Sequence, residues 1–161
     1  LVGSEMCIRD RARKEQQLQG KGQATEKEKM TLKGMRFLIA DDNDLNAEIL
    51  EELLKMEGAD CDRAVNGKEA VEMFARAEEG RYNIILMDIK MPVMNGYDAT
   101  KEIRRLKKKE AAKIPIFAMT ANAFAEDIRT CMEAGMDAHI AKPVDLDLLE
   151  ENIRIYMQAK A

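Results

Sequence analysis

The chain lacks any apolar run that approaches the roughly 20 residues needed to span a bilayer. It also lacks the basic start and long apolar centre of a secretory signal peptide. Its three cysteines, Cys7, Cys61 and Cys131, are odd in number and do not have the spacing of a metal site. These absences predict a cytoplasmic protein with reduced thiols and without membrane contact by this segment.

An excess of basic residues is missing as well, because the net charge is −4 and both signs are intermixed. This balance gives no support to nucleic acid or an anionic membrane as the main partner. The basic run from Lys101 to Lys113 contains no aromatic residues, and we interpret it as a solvated face. A composition that is 46% apolar and 35% charged is typical of a soluble globular protein.

Residues 1–33 differ in composition from the rest of the chain. The stretch from Arg9 to Lys29 is rich in Lys, Arg, Glu, Gln and Gly, and it has too few large apolar residues to bury a core. We expect a disordered or linker segment here. Residues 1–11 resemble translated sequencing-adapter read-through, in which case the natural protein continues upstream. One domain is predicted over residues 34–160, with no effector domain after it.

Within that domain, short apolar runs alternate with amphipathic stretches. The runs predict strands at residues 37–40, 59–64, 84–87, 116–119 and 138–141, and a helix is expected after each strand. Asp44 is expected to cap the first helix and Gly58 to end it. Five such units predict an α/β fold with a doubly wound parallel sheet covered on both faces.

Polar residues follow four of the predicted strands. Asp41 and Asp42 follow the first, Asp88 the third, Thr120 the fourth and Lys142 the fifth. Residues beyond the carboxyl ends of parallel strands converge on one crevice. Three carboxylates there would hold a hard cation such as Mg²⁺. Thr120 and Lys142 would stabilise a phosphoryl group, and Asp88 is the candidate nucleophile, which would form an acyl phosphate.

Each of these residues also has a purely structural explanation. Acidic residues at a helix start can act as caps, although Asp44 alone would suffice for that. Asp88 could be a turn residue, yet it is followed by a loop that Pro92 and Gly96 make rigid. Lys142 could be a solvated lysine, but it stands between an apolar strand and a proline. The combination therefore favours chemistry on a phosphoryl group.

Four sequence strings resemble the motifs of one family, the receiver domains of two-component response regulators. They are Phe37-Leu-Ile-Ala-Asp-Asp-Asn43, Leu86-Met-Asp-Ile-Lys-Met-Pro-Val-Met-Asn-Gly96, Met119-Thr-Ala121 and Ala141-Lys-Pro143. Their order and their positions at strand ends make the resemblance specific, and it covers residues 34–160. It implies a flavodoxin-like (βα)5 fold with five parallel strands in the order 2-1-3-4-5.

The resemblance also implies a role for each matching position. Asp88 would accept a phosphoryl group from phosphohistidine in an Mg²⁺-dependent reaction. Asp42 would bind Mg²⁺ directly, and Asp41 would assist mostly through water. The backbone carbonyl of Lys90 would be a further ligand, and Lys142 would pair with the phosphoryl oxygens. The domain would catalyse its own phosphorylation and slow dephosphorylation without being an independent enzyme.

Three further positions concern switching and the lifetime of the acyl phosphate. Thr120 would move toward the phosphoryl group, and Lys90 and Asn122 would flank it and tune its lifetime. The switch position, where the family usually has Tyr or Phe, carries His139 in this chain. We expect either a histidine that still swings inward or a partly buried histidine without a switching role. The bond between Lys142 and Pro143 is expected to be cis.

The strings most resemble receivers at the C-terminus of hybrid sensor histidine kinases. The expected partners are therefore a sensor histidine kinase or a histidine-phosphotransfer protein, with the domain a monomer or weak dimer. A stand-alone regulator starting at Met30 or Met35 is the main alternative. A haloacid-dehalogenase phosphatase would need a second Asp where Lys90 stands, and a flavin protein would need a phosphate loop where the acidic run lies. A receiver that only binds partners would be expected to have lost some of the key residues.

Overall fold

The computed structural model describes residues 32–121 and 125–160, in which five strands alternate with five helices. The strands are β1 (Arg36–Ala40), β2 (Asp60–Ala64), β3 (Ile84–Asp88), β4 (Ile116–Thr120) and β5 (Ala138–Ala141). The helices are α1 (Asp44–Met56), α2 (Gly67–Arg76), α3 (Gly96–Arg105), α4 (Ala125–Ala134) and α5 (Leu146–Lys160). None of the helices described is both long and apolar enough to cross a membrane.

The five strands form one parallel sheet in the order β2-β1-β3-β4-β5, which confirms the predicted topology. The central strands β1 and β3 are direct neighbours, and Ala40 pairs with Met87 in their register. Asp41 and Asp88, the next residue along each strand path, consequently emerge side by side at the carboxyl edge of the sheet. β4 lies on the other side of β3, and Asp88 pairs there with Met119.

Each face of the sheet buries its own apolar layer, because successive side chains of a strand point to opposite sides. On β1, Leu38 and Ala40 belong to the layer that contains Ala70 of α2 and Ile103 of α3. The other layer combines residues of β1, of the helices α1 and α5, and of the segment before β1. They are Phe37, Ile39, Leu50, Leu54, Leu149, Ile153 and Leu32. Leu32 precedes the predicted boundary at residue 34 and is nevertheless fully buried.

Asparagine side chains cap the first three helices. Asn43, Asn66 and Asn95 each accept a hydrogen bond from the backbone N–H three residues later. The expectation that Asp44 caps α1 is therefore wrong: Asn43 does so, and Asp44 lies in the first turn. Gly58 follows α1 with a φ of 82°, a left-handed conformation in which a side chain would be strained.

One arginine joins two loop segments near the C-terminal end of α3. The guanidinium of Arg104 donates hydrogen bonds to the carbonyl oxygens of Ala111, Ile114 and Gly135 at 2.8–3.1 Å. It also pairs with Asp137 at 2.9 Å. Arg104 thereby connects α3 with the segment before β4 and with the turn between α4 and β5.

Candidate functional site

Three carboxylates meet at the carboxyl edge of the sheet. Asp41, Asp42 and Asp88 each place one carboxylate oxygen within 4.8 Å of the other two. Asp41 and Asp88 are buried, and Asp42 is exposed at the mouth of the crevice. The pairing of β1 with β3 explains the predicted convergence. Ala40 pairs with Met87, and Asp41 and Asp88 are the next residues along the chain.

Lys142 bridges two of the carboxylates. Its Nζ lies 3.1 Å from Asp41 Oδ2 and 3.1 Å from Asp88 Oδ2. The backbone N–H of Lys142 donates to the carbonyl oxygen of Thr120 at 2.8 Å, which ties the end of β5 to the end of β4. The bond from Lys142 to Pro143 is cis, as expected. Within the described residues, the Lys142 ammonium thus faces a cluster that carries up to three negative charges.

The two aspartates after β1 differ in what already binds them. Asp41 Oδ1 accepts a hydrogen bond from the backbone N–H of Asn43 at 2.9 Å, and its Oδ2 faces Lys142. The exposed Asp42 has neither a hydrogen bond nor an ion pair within the described part of the chain. Asp42 is therefore the member of the cluster whose oxygens are most open to a further ligand.

The charge state of Asp88 reflects its position between opposing influences. Burial is the largest effect and raises the pKa of Asp88 to about 6, although Lys142 favours the ionised form. Asp41 and Asp42 add to the rise through charge repulsion. Burial alone would lower the pKa of Lys142, but Asp88 and Asp41 outweigh it and the net pKa is raised. A cation near Asp88 would favour its ionised form and so counteract the rise in its pKa.

The remaining predicted site residues lie on β4, on β5 and in the loop after β3, or outside the described residues. Thr120 is buried at the end of β4, where it pairs with Ala141 in register. His139 is buried within β5. Lys90 is exposed in the loop after β3, and the predicted use of its carbonyl as a ligand stays a prediction. The predicted position Asn122 lies outside the described residues.

The loop that follows β3 is held close to Asp88 by a glycine. The backbone N–H of Gly96 donates to the carbonyl oxygen of Ile89 at 2.9 Å. A Cβ atom on Gly96 would overlap the carbonyl oxygen of Asp88. Gly67 makes a second close approach, since its N–H donates to the carbonyl oxygen of Met94 at 3.0 Å. Both glycines allow a backbone contact that any side chain would obstruct.

Sequence reasoning missed one residue that contacts the acidic loop, Arg63 of β2. Its Nη2 donates to the carbonyl oxygen of Asp41 at 3.0 Å and lies 2.7 Å from Asp44 Oδ1. Its Nε also faces the Asp41 carbonyl oxygen, at 3.3 Å. A polar residue on a short strand gives no sequence signal for such a contact, because the partner is set by the pairing of β1 with β2.

An apolar groove adjoins the acidic cluster. It has a volume of about 350 Å³ and runs between α1 and the segment after β5. Ile49, Leu53 and Val144 contribute apolar lining, and Asp41 and Lys142 lie at its polar end. Ile49 and the neighbouring Leu45 are about half or more exposed, at 49% and 65%. The groove therefore places exposed apolar surface directly beside the carboxylates.

Comparison with known proteins identifies a family match over most of the chain. The family model for the response regulator receiver domain matches residues 37–154. Peroxide stress-activated histidine kinase mak1 of Schizosaccharomyces pombe is 36% identical over 117 residues, covering 72% of this chain and 7% of the kinase. Sensor histidine kinase RcsC of Salmonella typhimurium is 35% identical over 124 residues, covering 77% of this chain and 12% of the kinase. The chain thus spans a small fraction of the length of these relatives.

Solved structures give the same picture. A receiver domain of a Pseudomonas aeruginosa sensor histidine kinase, with magnesium in its active-site cleft, has a TM-score of 0.67 at 35% identity, covering 77% of this chain and 98% of that one. The receiver domain of an Arabidopsis thaliana histidine kinase, complexed with Mg²⁺ and BeF₃⁻, has a TM-score of 0.69 at 31% identity, with coverages of 79% and 92%. A Saccharomyces cerevisiae receiver domain, crystallised with its histidine phosphotransfer protein, has a TM-score of 0.66 at 30% identity, with coverages of 79% and 91%. The matches do not support the haloacid-dehalogenase alternative.

Proposed function

This chain belongs to the response regulator receiver family, and we propose that Asp88 is the phospho-acceptor of its phosphorelay. The observation that carries the proposal is the bridge from Lys142 to both Asp41 and Asp88 beside the exposed Asp42. One crevice thereby combines a nucleophilic carboxylate with an ammonium that can pair with the oxygens of a transferred phosphoryl group. It also contains an open position for a cation.

The cluster fits Mg²⁺ by its donor chemistry, which is three carboxylates against one ammonium. We propose that Asp42 and Asp88 bind the ion directly, with the Lys90 carbonyl as a further ligand. Asp41, whose oxygens already face Asn43 and Lys142, would assist through water. When bound, Mg²⁺ would neutralise negative charge on Asp88 and on the phosphoryl oxygens.

In the proposed reaction, a carboxylate oxygen of Asp88 attacks phosphorus as the P–N bond of a donor phosphohistidine breaks. The electron pair of that bond returns to the imidazole, and an acyl phosphate forms on Asp88. Lys142 already lies 3.1 Å from the nucleophile and can pair with the transferred oxygens. Thr120 would reach the phosphoryl group from β4. Attack of water on the same phosphorus would return the free carboxylate, and Lys90 and Asn122 would tune that rate.

The first experiment is intact-protein mass spectrometry after incubation with acetyl phosphate, with and without Mg²⁺. We expect one added phosphoryl group that requires both Mg²⁺ and Asp88. Asp88→Asn should abolish the adduct, whereas Asp98→Asn, an exposed carboxylate on α3, should leave it intact. An adduct that survives Asp88→Asn would refute the assignment. If no adduct forms, a beryllofluoride complex would distinguish a short-lived acyl phosphate from a domain that only binds partners.

The apolar groove beside α1 supports a histidine-phosphotransfer protein as the donor. Such a partner must bring its histidine to Asp88, and Ile49 lines the groove that leads to the polar end at Lys142. We expect Ile49→Asp to slow transfer from a phosphotransfer protein by about tenfold, as for a contact residue of an interface. Its rate with acetyl phosphate should be unchanged. Met56→Asp, at the C-terminal end of the same helix and 81% exposed, is the matched control.

Equal slowing by Ile49→Asp and Met56→Asp would contradict docking in the groove. If a histidine kinase transfers the phosphoryl group and no phosphotransfer protein does, the kinase is the donor, and the groove beside α1 remains the proposed docking surface.

We further propose that the segment belongs to a cytoplasmic hybrid histidine kinase, with residues 1–33 as linker and 34–160 as a receiver that is a monomer or weak dimer. Sequencing the intact gene tests this: an in-frame kinase core upstream supports it, and a start codon at Met30 or Met35 refutes it.

Phosphorylation would be read out on the surface formed by α4, β5 and α5. We propose that Thr120 moves toward the phosphoryl group and that His139 follows it inward, as a population shift between two states. The experiment compares phosphorylation-dependent partner binding of the wild type with His139→Tyr and His139→Ala. Coupling retained in Tyr and lost in Ala supports a switching role. Unchanged coupling in both would refute it.

A further inference from the structure

We propose that Arg63 is a positioning residue for the cation site, holding the loop that carries Asp42. The proposal rests on the proposed use of this site by Mg²⁺. The guanidinium of Arg63 contacts the loop on both sides of Asp42. It donates to the carbonyl oxygen of Asp41 at 3.0 Å and pairs with Asp44 Oδ1 at 2.7 Å. Within the described part of the chain it contacts neither Asp42 nor Asp88, so it acts through the backbone.

The geometry explains why such a clamp is needed. The carbonyl oxygen of Asp41 and the N–H of Asp42 belong to one peptide plane, which is rigid. Fixing that oxygen with two N–H groups of Arg63 fixes the direction in which the chain enters Asp42. The N–H of Asp41 is fixed as well, because it donates to the carbonyl oxygen of Ala64 at 3.1 Å. The loop is thereby held to β2 by both the strand ladder and the Arg63 side chain.

The anchoring point of Arg63 is itself rigid. Arg63 pairs with Ile39 in the register of β1 and β2, and its side chain is only 20% exposed. Its planar guanidinium presents several donors in a fixed fork, which a lysine ammonium cannot reproduce. The charge of Arg63 is partnered by Asp44, which is 83% exposed and lies in the first turn of α1. The clamp therefore joins β2, the acidic loop and the start of α1.

Charge and geometry predict opposite signs, which makes the proposal testable. A positive charge so close to a cation site repels a divalent ion, so its removal would by itself tighten Mg²⁺ binding. Loss of a positioning contact would instead weaken it, and partners that orient metal ligands typically account for 10- to 100-fold in metal affinity. If the clamp dominates, Arg63→Gln weakens binding although it removes a repelling charge. Arg63→Lys, which keeps the charge but loses the fork, weakens it too.

The experiment is a titration of each protein with MgCl₂, followed by the backbone amide NMR shifts of Asp42 and Asn43. We expect the Kd for Mg²⁺ to rise by about tenfold in Arg63→Gln and to rise in Arg63→Lys as well. Arg81→Gln is the matched control, since it removes an Arg–Asp pair (with Asp62) of the same charge type away from the acidic loop. Its Kd should equal that of the wild type.

The outcomes separate this proposal from the one on which it rests. An unchanged or lower Kd in Arg63→Gln, with the wild type binding Mg²⁺, overturns the positioning role alone. A wild type that does not bind Mg²⁺ overturns both proposals. Thermal unfolding in EDTA identifies any variant that fails to fold, and Arg63→Lys then decides: an unchanged Kd refutes the clamp, and a raised Kd supports it.

Discussion

Lys142 and Asp88 form an ion pair of 3.1 Å in which the pKa of both partners is raised. In an isolated pair, the ammonium would lower the pKa of the carboxyl group. Here burial of Asp88, together with repulsion from Asp41 and Asp42, outweighs Lys142. The pair is thus part of a cluster with excess negative charge. Removing the Lys142 ammonium should therefore change the pKa of Asp88 measurably.

Replacing Lys142 by methionine should raise the pKa of Asp88 above its value of about 6 in the metal-free protein. The ammonium favours the ionised carboxyl, and a thioether of similar length does not. Carboxyl ¹³C NMR of Asp88 across pH 4–9 measures the change. Lys101→Met, an exposed lysine on α3, is the control and should leave the titration unaltered. A lower pKa in Lys142→Met would show that the pairing does not control Asp88.

The pKa of Asp88 also predicts how the stability of the metal-free protein changes with pH. The folded pKa of about 6 exceeds the ordinary aspartate pKa of 3.8, so this group's contribution to stability is fully present below pH 3.8 and is lost as pH rises through about 6. A difference of that size corresponds to at most about 3 kcal/mol. Asp88→Asn should therefore gain stability relative to the wild type between pH 4 and pH 7.5, as measured by urea unfolding in EDTA.

Two controls accompany that measurement. Asp98→Asn should show no comparable gain in stability between pH 4 and pH 7.5. Added Mg²⁺ should stabilise the wild type more than Asp88→Asn at pH 7.5, since the ion binds the ionised cluster of the folded state. Parallel stability curves for wild type and Asp88→Asn between pH 4 and 7.5 would contradict the raised pKa.

A methyl group at Gly96 should impair both stability and phosphorylation. Its Cβ would overlap the carbonyl oxygen of Asp88, so the loop after β3 must move away from the nucleophile. We expect Gly96→Ala to cost about 1–3 kcal/mol in urea unfolding and to slow phosphorylation by acetyl phosphate. Gly80→Ala, with a φ of 80° but open space around it, should also cost stability while leaving the phosphorylation rate intact. Equal rates in both variants would argue against a role for the close approach.

Arg104 should be irreplaceable by lysine. Its guanidinium satisfies three carbonyl oxygens and Asp137, and an ammonium has neither the reach nor enough donors for that set. We expect Arg104→Lys to lose about 2–4 kcal/mol of the free energy of unfolding, because buried acceptors are left unpaired. The adjacent Arg105→Lys should change stability by less than about 0.5 kcal/mol, since Arg105 is exposed and pairs only loosely with Glu102 at 3.5 Å. Similar losses in the two variants would refute the argument.

The strands and the convergence of the acidic residues could be predicted from the sequence pattern, whereas the order of the strands was implied by the resemblance to receiver domains. Apolar runs such as Ile84–Met87 mark strands buried on both faces, and the polar residue after each run then lies at a known edge of a parallel sheet. The positions of Asp41, Asp88 and Lys142 follow from this rule alone.

Contacts between particular side chains could not be predicted in the same way. Asn43, rather than Asp44, caps α1, and both residue types favour that position, so the sequence alone could not decide between them. Arg63 reaches the acidic loop only because β2 lies beside β1 in one register. Arg104 finds partners 7 to 33 residues away along the chain. Such pairings depend on distances of a few ångströms, which periodicity does not determine.

The burial of Leu32 has a consequence for any phosphodonor on the same polypeptide. Leu32 is anchored in the core just before β1, whereas Asp88 is the last residue of β3, at the carboxyl edge of the sheet. The five residues of β1 separate the two edges by roughly 16 Å, at about 3.3 Å per residue. A donor attached upstream is thus tethered at the edge opposite to its target. Shortening that tether should suppress transfer within one chain before it affects transfer between chains.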